Sequence, residues 1–277
     1  MASLVEIYNA IREERVSFCN LAPQPIIDDI YVGNNAVVFR NMLDDGREVA
    51  LKCYASRRRN AHAIYGERYL ERELCLHTLS GDGYVDVTVL PWIEGHTLES
   101  HLISRNVDYR KLSANFDRLA LATLRHRCAH GDIKPDNIIV TPTGEMKYVD
   151  FDAAWLPGFT DADAEEIGTP AFSHPDRDYR HFDKHIDDFS LAMLSTTLAA
   201  LAIKREAFEP YIQVDGSIFE PEHVIDGSDY LFIEAMRLFE RRDPIHYCIA
   251  RTLYKLKAST PDAIGVIEGL EKMFSRT

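Results

Sequence analysis

The candidate catalytic and metal-binding residues lie in two short segments, His130-Gly131-Asp132-Ile133-Lys134-Pro135-Asp136-Asn137 and Val149-Asp150-Phe151-Asp152. The Asp132 carboxylate could accept a hydrogen bond from an attacking hydroxyl group. Lys134 lies two residues further on, so an extended loop would place its charge on the same side. Asn137 and Asp150 offer an amide oxygen and a carboxylate, the hard ligands that Mg²⁺ prefers. These groups suit phosphoryl transfer, which asks a protein mainly for positioning and charge neutralisation.

A short hairpin should bring the two metal ligands together. The apolar runs Ile138-Ile139-Val140 and Met146 to Val149 flank the turn sequence Thr143-Gly144, a pattern that predicts paired strands. Taken singly, a polar surface loop or a Pro-Asp-Asn turn would be ordinary. The joint pattern, with His, Asp, Lys and Asn at fixed offsets before a hairpin and Asp-Phe, favours a functional site instead.

The two segments resemble the catalytic loop, His-Arg-Asp-x-Lys-x-x-Asn, and the metal-binding Asp-Phe-Gly motif of the protein kinase family. The resemblance implies an α+β fold of the bilobal protein-kinase-like kind, with a small β-rich N-lobe and a mainly helical C-lobe. It implies ATP and Mg²⁺ as cofactors, with Mn²⁺ as an alternative metal. It also implies transfer of the ATP γ-phosphoryl group to a Ser or Thr hydroxyl of a protein substrate. His130 would have a structural role in the loop.

The pattern of apolar residues predicts a β-rich part before about Gly95 and a helical part after it. Helical spacing predicts a first helix over residues 3–15. Alternating and turn-bounded runs predict strands, and a longer run predicts a second helix from Ala61 to Leu79. The predicted strands are Ile27–Val32, Ala36–Met42, Glu48–Tyr54 and Tyr84–Leu90. The expected divisions are an N-terminal extension over 1–26, an N-lobe over 27–93 and a C-lobe over 94–277.

Lys52 ends the run Val49-Ala50-Leu51-Lys52, which is similar to the family's Val-Ala-x-Lys strand, whose lysine binds the α- and β-phosphates. In the family this lysine pairs with a carboxylate on the following helix. Glu73 is favoured as that partner because its neighbours at helical spacing are apolar, which predicts a buried face. Glu71, on a more mixed face, is the alternative.

A sparse loop stands where the family's glycine-rich loop covers the phosphates. It contains Gly33, Asn34 and Asn35. Because Asn tolerates positive φ better than most residues, Asn34 and Asn35 could replace glycines in this turn. Either Val37 or Val38 would then cover the adenine.

The run Leu90-Pro91-Trp92-Ile93 resembles the kinase hinge, whose backbone bonds adenine. On this alignment Leu90 is the gatekeeper. Pro91 would contribute its carbonyl, which proline retains, and Ile93 would contribute its N–H and carbonyl, with Trp92 between them.

Two later segments resemble parts of the kinase C-lobe. Gly168 to Asp176 is similar to the end of an activation segment, where Thr169 stands at the position that bonds the catalytic aspartate and lysine in Ser/Thr kinases. Asp187 opens a run similar to the start of the large buried helix, which implies that it braces the backbone of the catalytic loop. Asp187 could also cap that helix, and both roles could hold together.

Two positions depart from the family pattern. Gly131 replaces the arginine that reads a phosphorylated activation loop, which implies activity without such a phosphate. Asp152 replaces the glycine of Asp-Phe-Gly, and its Cβ should restrict the in/out switch of that motif.

Two alternative functions stay open. The sequence His-Gly-Asp also occurs in small-molecule kinases of the aminoglycoside or choline type. Lys134 and the run Gly168-Thr169-Pro170 favour a protein kinase over these. A pseudokinase scaffold is the third hypothesis, although the retained candidate catalytic residues give little reason to prefer it.

Composition narrows the partners and the compartment. The net charge of −13 repels nucleic-acid phosphate, so no nucleic-acid partner is expected. The five cysteines form no Cys-x-x-Cys pair, which indicates reduced thiols and a cytoplasmic location. The most apolar stretch, Phe189 to Ile203, is interrupted by Ser and Thr and predicts a buried helix instead of a membrane span. The sequence does not predict an oligomeric state.

Overall fold

The computed structural model describes residues 2–23, 29–78, 81–255 and 269–277. The chain divides into two compact units, Met1–Ile93 and Glu94–Thr277. The first unit is built on a β-sheet and the second is mainly helical, which confirms the predicted α+β, kinase-like class. The expected boundary between residues 26 and 27 lies outside the described residues.

The first unit contains a six-stranded antiparallel sheet. Its strands are β1 (Val16–Phe18), β2 (Ile30–Val32), β3 (Ala36–Met42), β4 (Glu48–Tyr54), β5 (Tyr69–Thr78) and β6 (Gly81–Pro91). Their order is β1-β5-β6-β4-β3-β2. Strands β3 and β4 have the predicted bounds, and β6 extends the predicted strand at both ends. The first two residues of the strand predicted from Ile27 lie outside the described part of the chain.

Helix α1 (Leu4–Arg12) covers one face of this sheet. It begins at a capping box, in which Ser3 and Glu6 bond each other's backbone N–H. Ile7 and Ile11, one turn apart, are both 0% exposed and pack in one core with β3, β4 and β5 residues. Burying a side chain of this size stabilises a fold by roughly 1.5–3 kcal/mol, so α1 contributes substantially to the core of the first unit.

The predicted helix from Ala61 to Leu79 is wrong over most of its length. A short helix, α2 (Ala61–Tyr65), ends where Gly66 adopts a φ of 60°. After a single 3₁₀ turn the chain continues as β5. Leu74 and Leu76 are both buried and each pairs with β1 and β6, and this pairing overrides the helical spacing. Tertiary packing commonly overrides local propensity in this way.

The second unit is organised around one buried helix. Its helices are α3 (Leu98–Ser104), α4 (Tyr109–Arg125), α5 (Asp188–Phe208), α6 (Pro221–Asp226), α7 (Tyr230–Arg242), α8 (Pro244–Lys255) and α9 (Leu270–Phe274). Helix α5 is buried on all sides over its first 14 residues, as predicted for Phe189 to Ile203, and α4, α7 and α8 pack against it. Three short strands, β7 (His96–Thr97), β8 (Ile138–Val140) and β9 (Met146–Tyr148), form a second antiparallel sheet.

Across the described residues, each helix is too short or too polar to cross a lipid bilayer.

Candidate active site

The predicted hairpin is present and places the candidate metal ligands at one end of it. Strand β8 pairs with β9 from Ile138–Tyr148 to Val140–Met146. One further bond, from the Val149 backbone N–H to the Asn137 carbonyl at 3.0 Å, extends the pairing. Asn137 and the residue preceding Asp150 are therefore directly paired through their backbones.

His130 fixes the start of the loop that runs from His130 to Asn137. Its ring is buried, at 3% exposure, and Nε2 donates to the Val149 carbonyl at 2.9 Å. Nδ1 then accepts from the backbone N–H of Asp132 at 3.3 Å. The ring also lies 4.7 Å from that of Phe151, between centroids. The histidine thereby links the loop to the segment that carries Asp150.

Asp132 lies at the centre of the predicted site residues of this unit. One carboxylate oxygen accepts the backbone N–H of Thr169 at 2.7 Å. The other accepts the side-chain amide of Asn137 at 3.1 Å and lies 3.6 Å from the Lys134 ammonium. The side chains of Asp132 and Lys134 are 15% and 19% exposed, so both are held in place yet reachable from solvent. The contact from Thr169 is made by its backbone.

Asp187 holds the backbone at the start of the same loop. It is 3% exposed, and its two oxygens accept the backbone N–H groups of His130 at 2.6 Å and Gly131 at 2.8 Å. It makes no side-chain cap bond to α5, so its carboxylate serves the loop. Bonds from backbone N–H groups to a charged acceptor are among the stronger ones in proteins.

The structure gives a physical reason for glycine at position 131. Gly131 has a φ of +86°, and a Cβ built there would lie 1.9 Å from the Ala153 carbonyl oxygen. No side chain fits at that distance. The departure from the family's arginine therefore reflects a close backbone approach, which the sequence alone did not reveal.

Arg177 is a site residue that sequence reasoning missed. Its guanidinium donates to the Gly131 carbonyl at 2.9 Å. Burial lowers the pKa of Arg177, whereas the charges of Asp187 and Asp132 favour its protonated form. In the sequence, the one indication of this role was a positively charged residue directly after His174-Pro175-Asp176.

The donor set around Asn137 fits a magnesium ion. The amide nitrogen of Asn137 donates to the Asp132 carbonyl at 2.9 Å and to its carboxylate. These bonds fix the amide orientation, and within the described residues no protein group donates to its oxygen. Asp150 has a φ of 63°, a left-handed conformation that Asp adopts more readily than most residues. Amide and carboxylate oxygens are the ligands Mg²⁺ takes.

In the first unit, Lys52 lies on the sheet face opposite α1. It is 5% exposed, and its register partners are Val38 on β3 and Thr88 on β6. Its ammonium lies 5.3 Å from the centre of the Tyr54 ring. Val37 points into the α1 core instead, so of the two valines it is Val38 that shares the face of Lys52.

Glu73 does not lie on a helix, because its segment is strand β5. Its carboxylate is 0% exposed and accepts the backbone N–H groups of Asn20 at 2.8 Å and Leu21 at 2.7 Å, together with the Asn20 side-chain amide at 2.7 Å. The alternative, Glu71, bonds Arg57 and His62 at the surface. The prediction that a helix carries the carboxylate partner of Lys52 is therefore wrong. Glu73 instead links the segment after β1 to β5.

The sparse loop is a tight turn between β2 and β3. The Gly33 N–H donates to the Ala36 carbonyl at 2.9 Å, and all three turn residues are exposed. Neither Asn34 nor Asn35 has a positive φ. The expectation that they replace glycines for conformational reasons is therefore wrong, and the turn forms with ordinary backbone angles.

The hinge-like run begins within β6. Leu90 pairs with Ala50 and Pro91 with Val49. The Trp92 N–H donates to the Glu48 carbonyl at 3.2 Å, and its ring lies under the Arg40 guanidinium. Ile93 is half-buried at the end of the first unit.

A cavity of about 330 Å³ lies beside the segment that contacts Asp132. Gly168, Pro170, Ala171 and Arg177 form one side of it, and Glu220 to Glu222, at the start of α6, form another. Its walls therefore combine apolar surface with charges of both signs.

Comparison with known proteins gives partial similarities only, one of which is to a plant kinase. A segment of 54 residues is 44% identical to the serine/threonine-protein kinase GRIK1 of Arabidopsis thaliana. The match covers 18% of this chain and 13% of that protein. No model of a known protein family matches the chain. The similarity hints at a relationship with kinases over one part of the sequence.

Proposed function

We propose that this chain transfers the γ-phosphoryl group of ATP to a Ser or Thr hydroxyl of a protein substrate. The observation that carries the proposal is the setting of Asp132. Its carboxylate is oriented by the Thr169 N–H at 2.7 Å and the Asn137 amide at 3.1 Å, with the Lys134 ammonium 3.6 Å away. A positioned acceptor beside a cation is the arrangement that phosphoryl transfer needs.

In the proposed reaction, Asp132 accepts the hydrogen bond of the attacking hydroxyl and receives its proton. A bond forms between the hydroxyl oxygen and the γ-phosphorus, while the bond from that phosphorus to the β–γ bridging oxygen breaks. The electron pair leaves with ADP. Lys134 neutralises charge on the phosphoryl group during transfer, because its ammonium lies beside the acceptor carboxylate.

The remaining proposed roles concern nucleotide binding. Asn137 and Asp150 would hold Mg²⁺, which supplies charge neutralisation at the phosphates when it is bound. Lys52, by its resemblance to the family's strand lysine, would bind the α- and β-phosphates. The Lys52 side chain is only 5% exposed on its sheet face, which supports a role as a fixed positive charge for the phosphates.

One observation favours a protein acceptor over a small alcohol. The partial similarity is to a protein whose name describes a serine/threonine-protein kinase.

The test is incubation of the full chain with labelled ATP, Mg²⁺, a generic basic protein and a panel of small alcohols. The Asp132→Asn variant keeps the size of the side chain but removes the proton acceptor, so transfer should fall by at least about 100-fold. Glu206→Gln, which removes an exposed carboxylate on α5, is the control and should retain activity.

The site of the label distinguishes the alternatives. Label on protein Ser or Thr that disappears in Asp132→Asn supports the proposal. Label on small alcohols alone favours a small-molecule kinase. Absence of label while ATP still binds favours a scaffold and rejects the transfer reaction.

A further inference from the structure

A separate group of side chains, each of a type that can bind a metal ion, lies on the first unit's sheet. Cys75 and His77 are on β5 and Asp82 is on β6. One ligand atom from each side chain lies within 4.8 Å of the other two. Cys75 is buried, whereas His77 and Asp82 are exposed, so an ion could reach the group from solvent.

The sheet register explains why these residues meet. His77 pairs directly with Asp82 across β5 and β6. Cys75 precedes His77 by two residues, and side chains two apart on a strand project from the same face. On the other side of β5, Cys75 pairs with Ser17 of β1. Three strands therefore contribute to one small polar cluster.

The distances are close to those of a tetrahedral zinc site. The Cys75 Sγ lies 3.9 Å from His77 Nδ1, and that nitrogen lies 3.0 Å from Asp82 Oδ1. Zinc bonds of about 2.0–2.3 Å at tetrahedral angles imply ligand separations of roughly 3.3–3.6 Å. The third separation, between the Cys75 Sγ and the Asp82 carboxylate, is at most 4.8 Å, so side-chain movements of about 1 Å would complete the geometry.

A further contact orients the imidazole. The Ser17 hydroxyl lies 3.0 Å from His77 Nε2, the ring nitrogen that faces away from Cys75 and Asp82. Histidine ligands of metals usually bond a protein group through their second nitrogen, which fixes the ring and the tautomer. Ser17 supplies that partner here.

We propose that Cys75, His77 and Asp82 bind a zinc ion, with water in the fourth position. A thiolate and an imidazole select zinc over Mg²⁺, Ca²⁺ and Mn²⁺, which prefer oxygen ligands alone. Cys19 is not the fourth ligand, because its thiol donates to the Arg72 carbonyl at 3.3 Å. The ion would join the β5–β6 hairpin and, through Ser17, hold it to β1.

This site is independent of the proposed phosphoryl transfer. Asp82 lies six residues along β6 from Thr88, the register partner of Lys52. At 3.3 Å per residue that separation is about 20 Å. Zinc would therefore act on the stability of the first unit, and its binding can be measured without any activity assay.

The experiment uses the full chain, freed of metal and kept reduced, titrated with Co²⁺ and then with Zn²⁺ in competition. Cobalt should bind with one equivalent and give thiolate-to-metal charge-transfer absorption, which zinc removes. Cys75→Ser should abolish that absorption. His77→Gln and Asp82→Asn, both at exposed positions, should weaken zinc binding at least tenfold, and Ser17→Ala should weaken it about tenfold.

Matched controls are Cys248→Ser and His62→Gln, which alter exposed residues outside the cluster and should bind as the unaltered chain does. Circular dichroism of each variant checks folding. Absence of the charge-transfer band, its persistence in Cys75→Ser, or unchanged zinc affinity in His77→Gln and Asp82→Asn would each overturn the proposal.

Discussion

Asp187 accepts a hydrogen bond from the backbone N–H of His130 at 2.6 Å, across 57 positions in the chain. Its second oxygen accepts the next N–H along the loop. Since both oxygens are used and the carboxylate is buried, Asp187 sets the backbone position from which Asp132 projects.

Replacing Asp187 should therefore loosen the loop. Asp187→Asn keeps one acceptor but turns an amide NH₂ toward the second backbone N–H. A buried unsatisfied donor costs about 1–3 kcal/mol, so the free energy of unfolding measured in urea should fall by that amount, and transfer should slow. Glu206→Gln, an exposed change on α5, should shift the unfolding free energy by less than about 0.5 kcal/mol. Equal stability of the two variants would contradict the bracing role.

Position 131 should accept glycine alone. In Gly131→Ala, the added Cβ meets the Ala153 carbonyl at 1.9 Å in a backbone with a φ of +86°. A left-handed conformation costs about 1–2 kcal/mol for a residue with a Cβ, and the clash adds roughly 1–3 kcal/mol. Thermal unfolding should show the combined loss, and Gly131→Arg should be inactive.

Gly158→Ala separates the two costs, because Gly158 has a φ of +105° but nothing within 4 Å of an added Cβ. It should lose only the conformational part. If Gly131→Ala were no less stable than Gly158→Ala, the close approach to Ala153 would not constrain the loop.

A buried ion network in the second unit should make stability depend on pH. His246, on α8, donates Nε2 to Asp117 at 3.2 Å and Nδ1 to Asp243 at 2.7 Å. Ser195 donates to the other Asp117 oxygen at 2.8 Å. Burial alone would lower the pKa of His246, but the bonds to Asp117 and Asp243 outweigh burial and raise the pKa to about 9. The folded state thus favours the protonated ring.

The sign of the effect follows from that raised pKa. The ordinary pKa of histidine is about 6.5 in an unfolded chain, so the stabilisation is fully present below about pH 6.5 and is lost as pH rises through about 9. Urea unfolding of the chain and of His246→Gln should give a free-energy difference on the order of 3 kcal/mol at pH 6.5. That difference should narrow toward pH 9. A difference independent of pH over this range would reject a charged His246, and exposed His223→Gln should behave as the unaltered chain.

Glu73 should act as a structural residue. Glu73→Gln can no longer accept all three hydrogen bonds from Asn20 and Leu21, so the first unit should lose about 1–3 kcal/mol of stability. At a temperature where the variant is folded, its affinity for Mg²⁺-ATP should be unchanged by calorimetry. Glu71→Gln is the matched control at the surface. A loss of ATP affinity without loss of stability in Glu73→Gln would restore the pairing predicted from sequence.

The C-lobe candidates were predictable because local spacing determines them. Asp132, Lys134 and Asn137 lie within six residues, and a hairpin with a clear turn carries the chain to Asp150. Such short-range relations can be predicted without knowledge of the tertiary structure.

What the sequence could not reveal depends on distant contacts. The sequence of residues 69–76 fits both a helical and a strand pattern, and only the pairing with β1 and β6 decides between them. The same is true of Gly131, whose constraint comes from Ala153, and of Arg177, whose partner is a backbone carbonyl 46 positions away.

The packing of α1 has a practical consequence for anyone who shortens this protein. A version that starts at residue 27, where the kinase-like pattern begins, would uncover the sheet face that Ile7 and Ile11 seal. Exposed apolar surface on a sheet promotes aggregation. If such a truncated protein were insoluble, the cause would be the loss of part of the core. Domain limits chosen for crystallisation or expression should therefore retain residues 3–12.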